Sequence, residues 1–259
     1  YSRLLLVTDF ICGMTDSYAA YLYEEINGMI QLYLIRHSMT AGNLKKRYIG
    51  RTDESLCPEG IVLLESYIQK NIYPEVQRVY VSPMKRCMET AKLIFKENFY
   101  EVEELRECDF GIFENKNYKE LSDCPEYQAW IDSGGTMKFP GGEDPEEFRK
   151  RCVRGFEKVI KECRHDQIKS VAVVAHGGTI MSIMDRYARD ENGQPDGSYY
   201  DYQVKNGEGY ELIIADVSSG DSRICAGSDI WRSGVAVSSG ENDRSFNLRG
   251  GKNYKKLIP

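Results

Sequence analysis

Two short apolar runs in this chain each end in histidine. Leu32-Tyr33-Leu34-Ile35 is bounded by polar residues and breaks into Arg36-His37, and Val171-Ala172-Val173-Val174-Ala175 breaks into His176-Gly177-Gly178. Runs of this length without alternation predict strands covered on both faces, as in a parallel sheet. Open parallel sheets bind ligands at the carboxyl ends of their strands. Both histidines are therefore placed where such a sheet keeps its chemistry. The bland alternative is two unrelated histidines with satisfied hydrogen bonds, since a buried imidazole is costly without them.

Helical spacing fills the intervals. Pro58 to Lys70 predicts a helix with Ile61, Leu64 and Ile68 on one face. Val79-Tyr80-Val81 predicts a short strand closed by Ser82-Pro83, and the helix after it carries Met84, Cys87, Met88, Ala91, Ile94 and Phe95 at helical spacing. Arg86 falls in the first turn of that helix. Backbone N–H groups and a guanidinium pointing the same way suit a phosphate, although a single arginine there is ordinarily just exposed. The mixed stretch Leu105 to Glu114 carries the carboxylates Glu107, Asp109 and Glu114, and Tyr118 to Asp132 reads as helical. Asp144, Pro145 and Glu147 form a helix start, and Phe148, Cys152, Phe156, Val159 and Cys163 are its apolar face. A helix follows the second histidine strand from about Thr179 to Ala188, and Tyr210 to Ala215 reads as a last strand at a sheet edge.

Strands alternating with helices over 31–217 predict an α/β fold, a three-layer sandwich with a mostly parallel central sheet and helices on both faces. Three segments are expected: an N-terminal helical appendage over 1–28, the α/β domain over 29–217, and an irregular extension over 218–259 rich in Gly, Ser, Asn and Arg.

Composition narrows the partners. A net charge of −6 argues against a general nucleic-acid or membrane-surface binder, and no apolar run approaches the roughly 18 residues of a membrane span. The eight cysteines show no C-x-x-C pair and no zinc spacing. They read as free thiols of a cytoplasmic protein. The N-terminus lacks the features of a signal peptide. The segment Cys12 to Ala19 resembles a short stretch of deoxynucleotide triphosphohydrolases, without that family's His-Asp metal motif.

Taken in order, Arg36-His37, then Ser82-Pro83 with Arg86 and Glu89-Thr90-Ala91, then Leu105-Arg106-Glu107 with Phe110-Gly111 and Glu114, then His176-Gly177-Gly178 resemble the histidine phosphatase superfamily, also called phosphoglycerate-mutase-like. The resemblance covers about 31–217. It implies a phosphohistidine intermediate on His37, with Arg36, Arg86 and His176 holding the phosphoryl oxygens. It implies Glu107 as the proton donor to the leaving oxygen, and no metal or other cofactor. Glu114 and Asp109 are the alternative acids on chemistry alone. Asn43 matches a phosphate contact of the family, and Gly50, Arg51 and Gly177 are further candidates for binding substrate. His165 reads as a surface histidine. One departure stands out: Ser38 occupies a position where the family usually has glycine, which would strain a positive φ. The stretch Tyr48 to Asp53 looks most like the α-ribazole phosphatase branch. The implied substrate is a small phosphate ester, α-ribazole 5'-phosphate among the candidates, with a phosphoglycerate mutase or a phosphate-binding protein without turnover as the alternatives.

Overall fold

A computed structural model describes residues 28–96, 98–190, 192–214 and 252–258. The helix expected within 1–28, Cys12, Cys225 and most of the C-terminal extension lie outside these residues. One mixed sheet of six strands runs through the domain in the order β3-β2-β4-β1-β5-β6. These are β1 (Ile30–Arg36), β2 (Arg78–Val81), β3 (Phe99–Glu101), β4 (Ser170–Ala175), β5 (Gly209–Ile214) and β6 (Tyr254–Leu257). The first four are mutually parallel, β5 runs antiparallel to β1, and β6 runs antiparallel to β5.

The helices are α1 (Ala41–Leu44), α2 (Pro58–Gln69), α3 (Lys85–Phe95), α4 (Pro125–Asp132), α5 (Pro145–His165) and α6 (Gly177–Tyr187). They cover both faces, which explains the apolar runs. Leu32 and Leu34 of β1 point into a core shared with Phe156, Val159, Ile180 and Ile183 of α5 and α6. Tyr33 and Ile35 point the other way, against Cys87 and Ala91 of α3. Each fully buried aliphatic side chain contributes roughly 1.5–3 kcal/mol, so a central strand needs both faces apolar. Asp144 caps α5 as expected, accepting from the Glu146 and Glu147 amides.

Three expectations need correction. Gly209–Ile214 is not an edge strand, because it pairs with β1 on one side and with β6 on the other. Lys255 and Lys256 disguise β6 as loop, and Lys255 reaches the buried Glu211 at 2.7 Å. Lysine-bearing edge strands resist further pairing. The helix expected from Tyr118 begins only at Pro125, which occupies the first turn. The buried face of α2 is Gly60, Leu64 and Tyr67, while Ile61 and Ile68 are exposed. Gly60 sets that rotation: a Cβ there would lie 2.3 Å from the Met39 carbonyl. So α2 lies directly on the loop that follows His37.

Candidate active site

Strand register assembles the site. In β1 and β4, Arg36 pairs with Ala175, so His37 and His176 leave adjacent parallel strands at the same level. Val81 of β2 pairs with Val174, which brings Ser82 beside them. The two imidazoles meet edge to face, with centroids 5.2 Å apart. Both are buried.

Their hydrogen bonds assign the protons. His37 Nδ1 lies 2.6 Å from the Ser38 carbonyl. A carbonyl only accepts, so Nδ1 carries the proton and Nε2 keeps its lone pair. In His176 the roles are reversed. Arg86 Nε donates to Nδ1 at 3.3 Å, leaving Nε2–H to donate to Ser82 Oγ at 2.8 Å. Burial is the main force lowering both histidines well below the ordinary imidazole value, and Arg86 adds to it. Both are neutral at pH 7, and His37 presents a free imidazole nitrogen.

Two arginines surround them. Arg86 is fully buried, not exposed, and its guanidinium donates to the carbonyls of Ile49, Gly50 and Thr52. Arg36 Nη1 donates to the Val204 carbonyl at 2.6 Å. Its Nε is buried without any hydrogen-bond partner. Neither guanidinium meets a carboxylate in an ion pair among the described residues. Buried charge without a counter-charge is costly, so this cluster is complementary to a dianion. Burial lowers the Arg36 pKa, and nearby Glu107 offsets part of that.

Glu107 closes the ring. Its carboxylate accepts from the Cys108 amide at 3.0 Å and from the Gly178 amide at 3.2 Å, in the first turn of α6. Those bonds favour the charged form, yet burial outweighs them and raises the pKa. A carboxyl that holds its proton above the usual range, beside buried cations, is equipped to deliver it.

Residues 32–216 match the model of the histidine phosphatase superfamily (branch 1). The chain belongs to this superfamily. It is 29% identical over 191 residues to a broad-specificity phosphatase of Saccharomyces cerevisiae, covering 70% of this chain and 80% of that one. It is 26% identical over 183 residues to the adenosylcobalamin/alpha-ribazole phosphatase of Escherichia coli, covering 69% and 87%. The crystal structure of the alpha-ribazole phosphatase from Shigella flexneri shares the fold, with a TM-score of 0.60, 24% identity, and coverage of 71% and 90%. Separately, 29 residues are 76% identical to a deoxyguanosinetriphosphate triphosphohydrolase-like protein of Listeria monocytogenes, 11% of this chain and 6% of that one. The likeness seen in Cys12 to Ala19 lies outside the described residues.

The remaining candidates of this histidine phosphatase divide. Asn43 lies in α1 past His37, and Asn206 bridges its side chain to the His37 carbonyl. Asn43 Oδ1 accepts from the Thr40 amide at 3.2 Å and the Asn43 backbone amide donates to Thr40 Oγ1. That fixes the side chain and leaves Nδ2 as the group able to meet a ligand. Gly50 lines the cleft beside Arg51, with its carbonyl held by Arg86 and its amide by Glu114. Arg51 stands at the mouth with its side chain 62% exposed, 3.5 Å from Asp109. With Glu107 it lines a cleft of about 530 Å³. A Cβ at Gly177 would meet the Arg36 guanidinium at 3.4 Å, an ordinary contact. The tighter glycine is Gly178, where a Cβ would lie 2.5 Å from Glu107 Oε1. His165 is exposed, as expected.

Ser38 is not strained, since its φ is not positive. Its hydroxyl donates to the Gly60 carbonyl at 2.7 Å, and its amide donates to Thr90 Oγ1 at 3.0 Å. The serine thus ties the loop after His37 to α2 and α3, and Thr90, not a ligand, takes its N–H. Three supports hold this frame. Glu114 gathers the amides of Gly50, Arg51, Thr52 and Phe110. Arg151 clasps Glu143 and donates to the carbonyls of Glu104 and Arg106. Asn206 reaches the His37 carbonyl from a distant part of the chain. The motif spacing made Glu114 visible, but nothing local marks Arg151 or Asn206.

The Gly50 position yields a stability test. A Cβ there would meet the Cys108 carbonyl at 1.8 Å. Backbone cannot yield as a side-chain tip can, so Gly50→Ala is expected to cost more than about 2 kcal/mol. Urea unfolding measures it, and a loss below about 0.5 kcal/mol would contradict this packing.

Proposed function

We propose that this histidine phosphatase is a metal-independent phosphomonoesterase working through a phosphohistidine on His37. The observation that carries the proposal is the Nδ1 bond of His37 to the Ser38 carbonyl, which leaves Nε2 as nucleophile beside two guanidiniums that meet no carboxylate in an ion pair among the described residues, one of them with a buried, unpartnered Nε. Nε2 attacks phosphorus, and the P–N bond forms as the P–O bond to the alcohol breaks. Glu107 gives its proton to the departing oxygen. Its carboxylate then takes a proton from water as that water attacks phosphorus, which releases phosphate and regenerates Nε2. Arg36, Arg86 and Asn43 Nδ2 carry the charge on the phosphoryl oxygens throughout, where such electrostatic support matters most. His176 orients Arg86.

The substrate proposed is a small phosphorylated metabolite, with α-ribazole 5'-phosphate first to be tried because the relative from Escherichia coli carries that name. The test is hydrolysis of an aryl phosphate at mildly acidic to neutral pH with and without a chelator. The expected result is turnover unchanged by the chelator. Loss of turnover with the chelator, restored by added metal, would overturn the reading. Screening α-ribazole 5'-phosphate against phosphoglycerates then ranks the leaving groups by kcat/KM.

A further inference from the structure

The loop between the short helix Tyr199–Tyr202 and β5 wraps the nucleophile segment. Val204 accepts from Arg36 Nη1, the Gly207 amide donates to the Arg36 carbonyl, and the Arg36 amide donates to Glu208. At the centre of this loop, Asn206 Nδ2 lies 3.0 Å from the His37 carbonyl, 3.3 Å from the Ser38 carbonyl and 3.2 Å from Asn43 Oδ1.

All three neighbours are acceptors. The two carbonyls are so by nature, and Asn43 Oδ1 is fixed as oxygen because it accepts from the Thr40 amide. Turning the Asn206 amide over would set oxygen against three oxygens, so its NH₂ orientation is determined. One of the three, the Ser38 carbonyl, is the group that holds the proton on His37 Nδ1. Another, Asn43 Oδ1, decides which end of the Asn43 amide can face a ligand.

We propose that Asn206 is a positioning residue of the phosphoryl-transfer site: its single NH₂ group holds the Ser38 carbonyl that selects the reactive tautomer of His37 and turns Asn43 Nδ2 toward the phosphoryl group. It touches neither substrate nor phosphorus. Its effect passes through His37 and Asn43. Outer partners of a functional imidazole commonly set its tautomer and direction in this way. The proposal rests on the phosphatase reading for its kinetic consequence, but not for its effect on the imidazole.

The experiment compares Asn206→Ala and Asn206→Asp with the unchanged protein. Asn206→Asp is nearly isosteric, and it replaces the donors with oxygen against three acceptors. The first readout is the ¹⁵N spectrum of the imidazoles in full-length protein labelled at histidine. The chain has only three histidines, so comparison with His37→Ala assigns the signals. The unchanged protein is expected to show His37 with Nδ1 protonated and Nε2 free, and both variants are expected to lose that single tautomer for a mixture. The second readout is aryl phosphate hydrolysis. Asn206→Ala is expected to lower kcat about 10- to 100-fold with KM changed less than about threefold, and Asn206→Asp to lower it further. A His37 spectrum and kcat within twofold of the unchanged protein in both variants would overturn the proposal. So would equal losses in kcat with the His37 tautomer intact, which would mark general loosening of the loop. If the unchanged protein does not turn over, the phosphatase reading fails, and the imidazole spectrum alone still decides whether Asn206 sets the tautomer.

Discussion

His37→Ala is expected to lower kcat toward an aryl phosphate by about 10⁴-fold or more. Removing a covalent nucleophile that acts as one unit with its surroundings costs on that scale. The loss should fall on chemistry rather than on folding. His37 is held mainly through its own backbone and one Nδ1 bond, and its amide still donates to the Ala175 carbonyl in the variant. Arg36 and Arg86 remain in place, so inorganic phosphate should still compete for the site with affinity within about tenfold. Steady-state hydrolysis and phosphate inhibition, measured side by side, separate the two. Turnover retained within tenfold would mean that another group attacks phosphorus.

Glu107→Gln carries the second large effect, and its size should depend on the leaving group. An alkoxide needs a proton to depart, whereas a nitrophenolate leaves without one. Loss of the acid is therefore expected to cost about 10²- to 10⁴-fold with an alkyl phosphate, and much less with a nitrophenyl ester in the phosphorylation step. The pH profile follows from the direction of each shift. The Glu107 pKa is raised by burial, so the acid form survives above the usual carboxylate range and the rate falls as pH rises through that raised value. The His37 pKa is lowered by burial, so the free nitrogen survives below the ordinary imidazole range and the acid limb lies low. Glu107→Gln should remove the basic limb and leave the acid limb. Equal losses for both esters with an unchanged profile would point to Asp109 or another acid. Both Glu107 oxygens accept backbone amides, so the glutamine NH₂ must give up one bond; an unfolding curve checks that the variant remains folded.

The same lowered values bear on stability. His37 and His176 resist protonation in the folded chain, whereas the unfolded chain takes up protons near the ordinary imidazole pKa. The unfolded state then binds more protons as the medium becomes acidic, so folding stability declines below about pH 6.5.

The histidine strands were legible because a strand buried on both faces leaves an unbroken apolar run, and because the ligand side of a parallel sheet is set by chain direction. That puts Arg36, His37 and His176 where such a sheet keeps its chemistry, and the family likeness adds the roles. Arg86 and Glu107 needed family likeness, since an arginine in a helix turn and a glutamate in a mixed loop look ordinary one at a time. Their burial comes from partners far along the chain, such as the carbonyls of Ile49 and Gly50 for Arg86. Strand β6 escaped notice because its lysines suit a solvent-facing edge and mask the pairing with β5. Asn206 escaped because its role exists only once β5 lies against β1, which brings position 206 to position 37. Ser38 looked like a defect by motif, and its hydroxyl turned out to have a carbonyl partner on α2.

The central claim is that His37 carries the phosphoryl group. The most direct measurement is to mix the protein with substrate, quench in alkaline denaturant within milliseconds, and locate phosphate on its peptides by mass spectrometry. The account requires a modification on His37 that survives alkali and is lost in acid, and that is absent from His37→Ala. Phosphate on His176 or on a hydroxyl, or rapid turnover with no phosphorylated peptide at any time point, would contradict it.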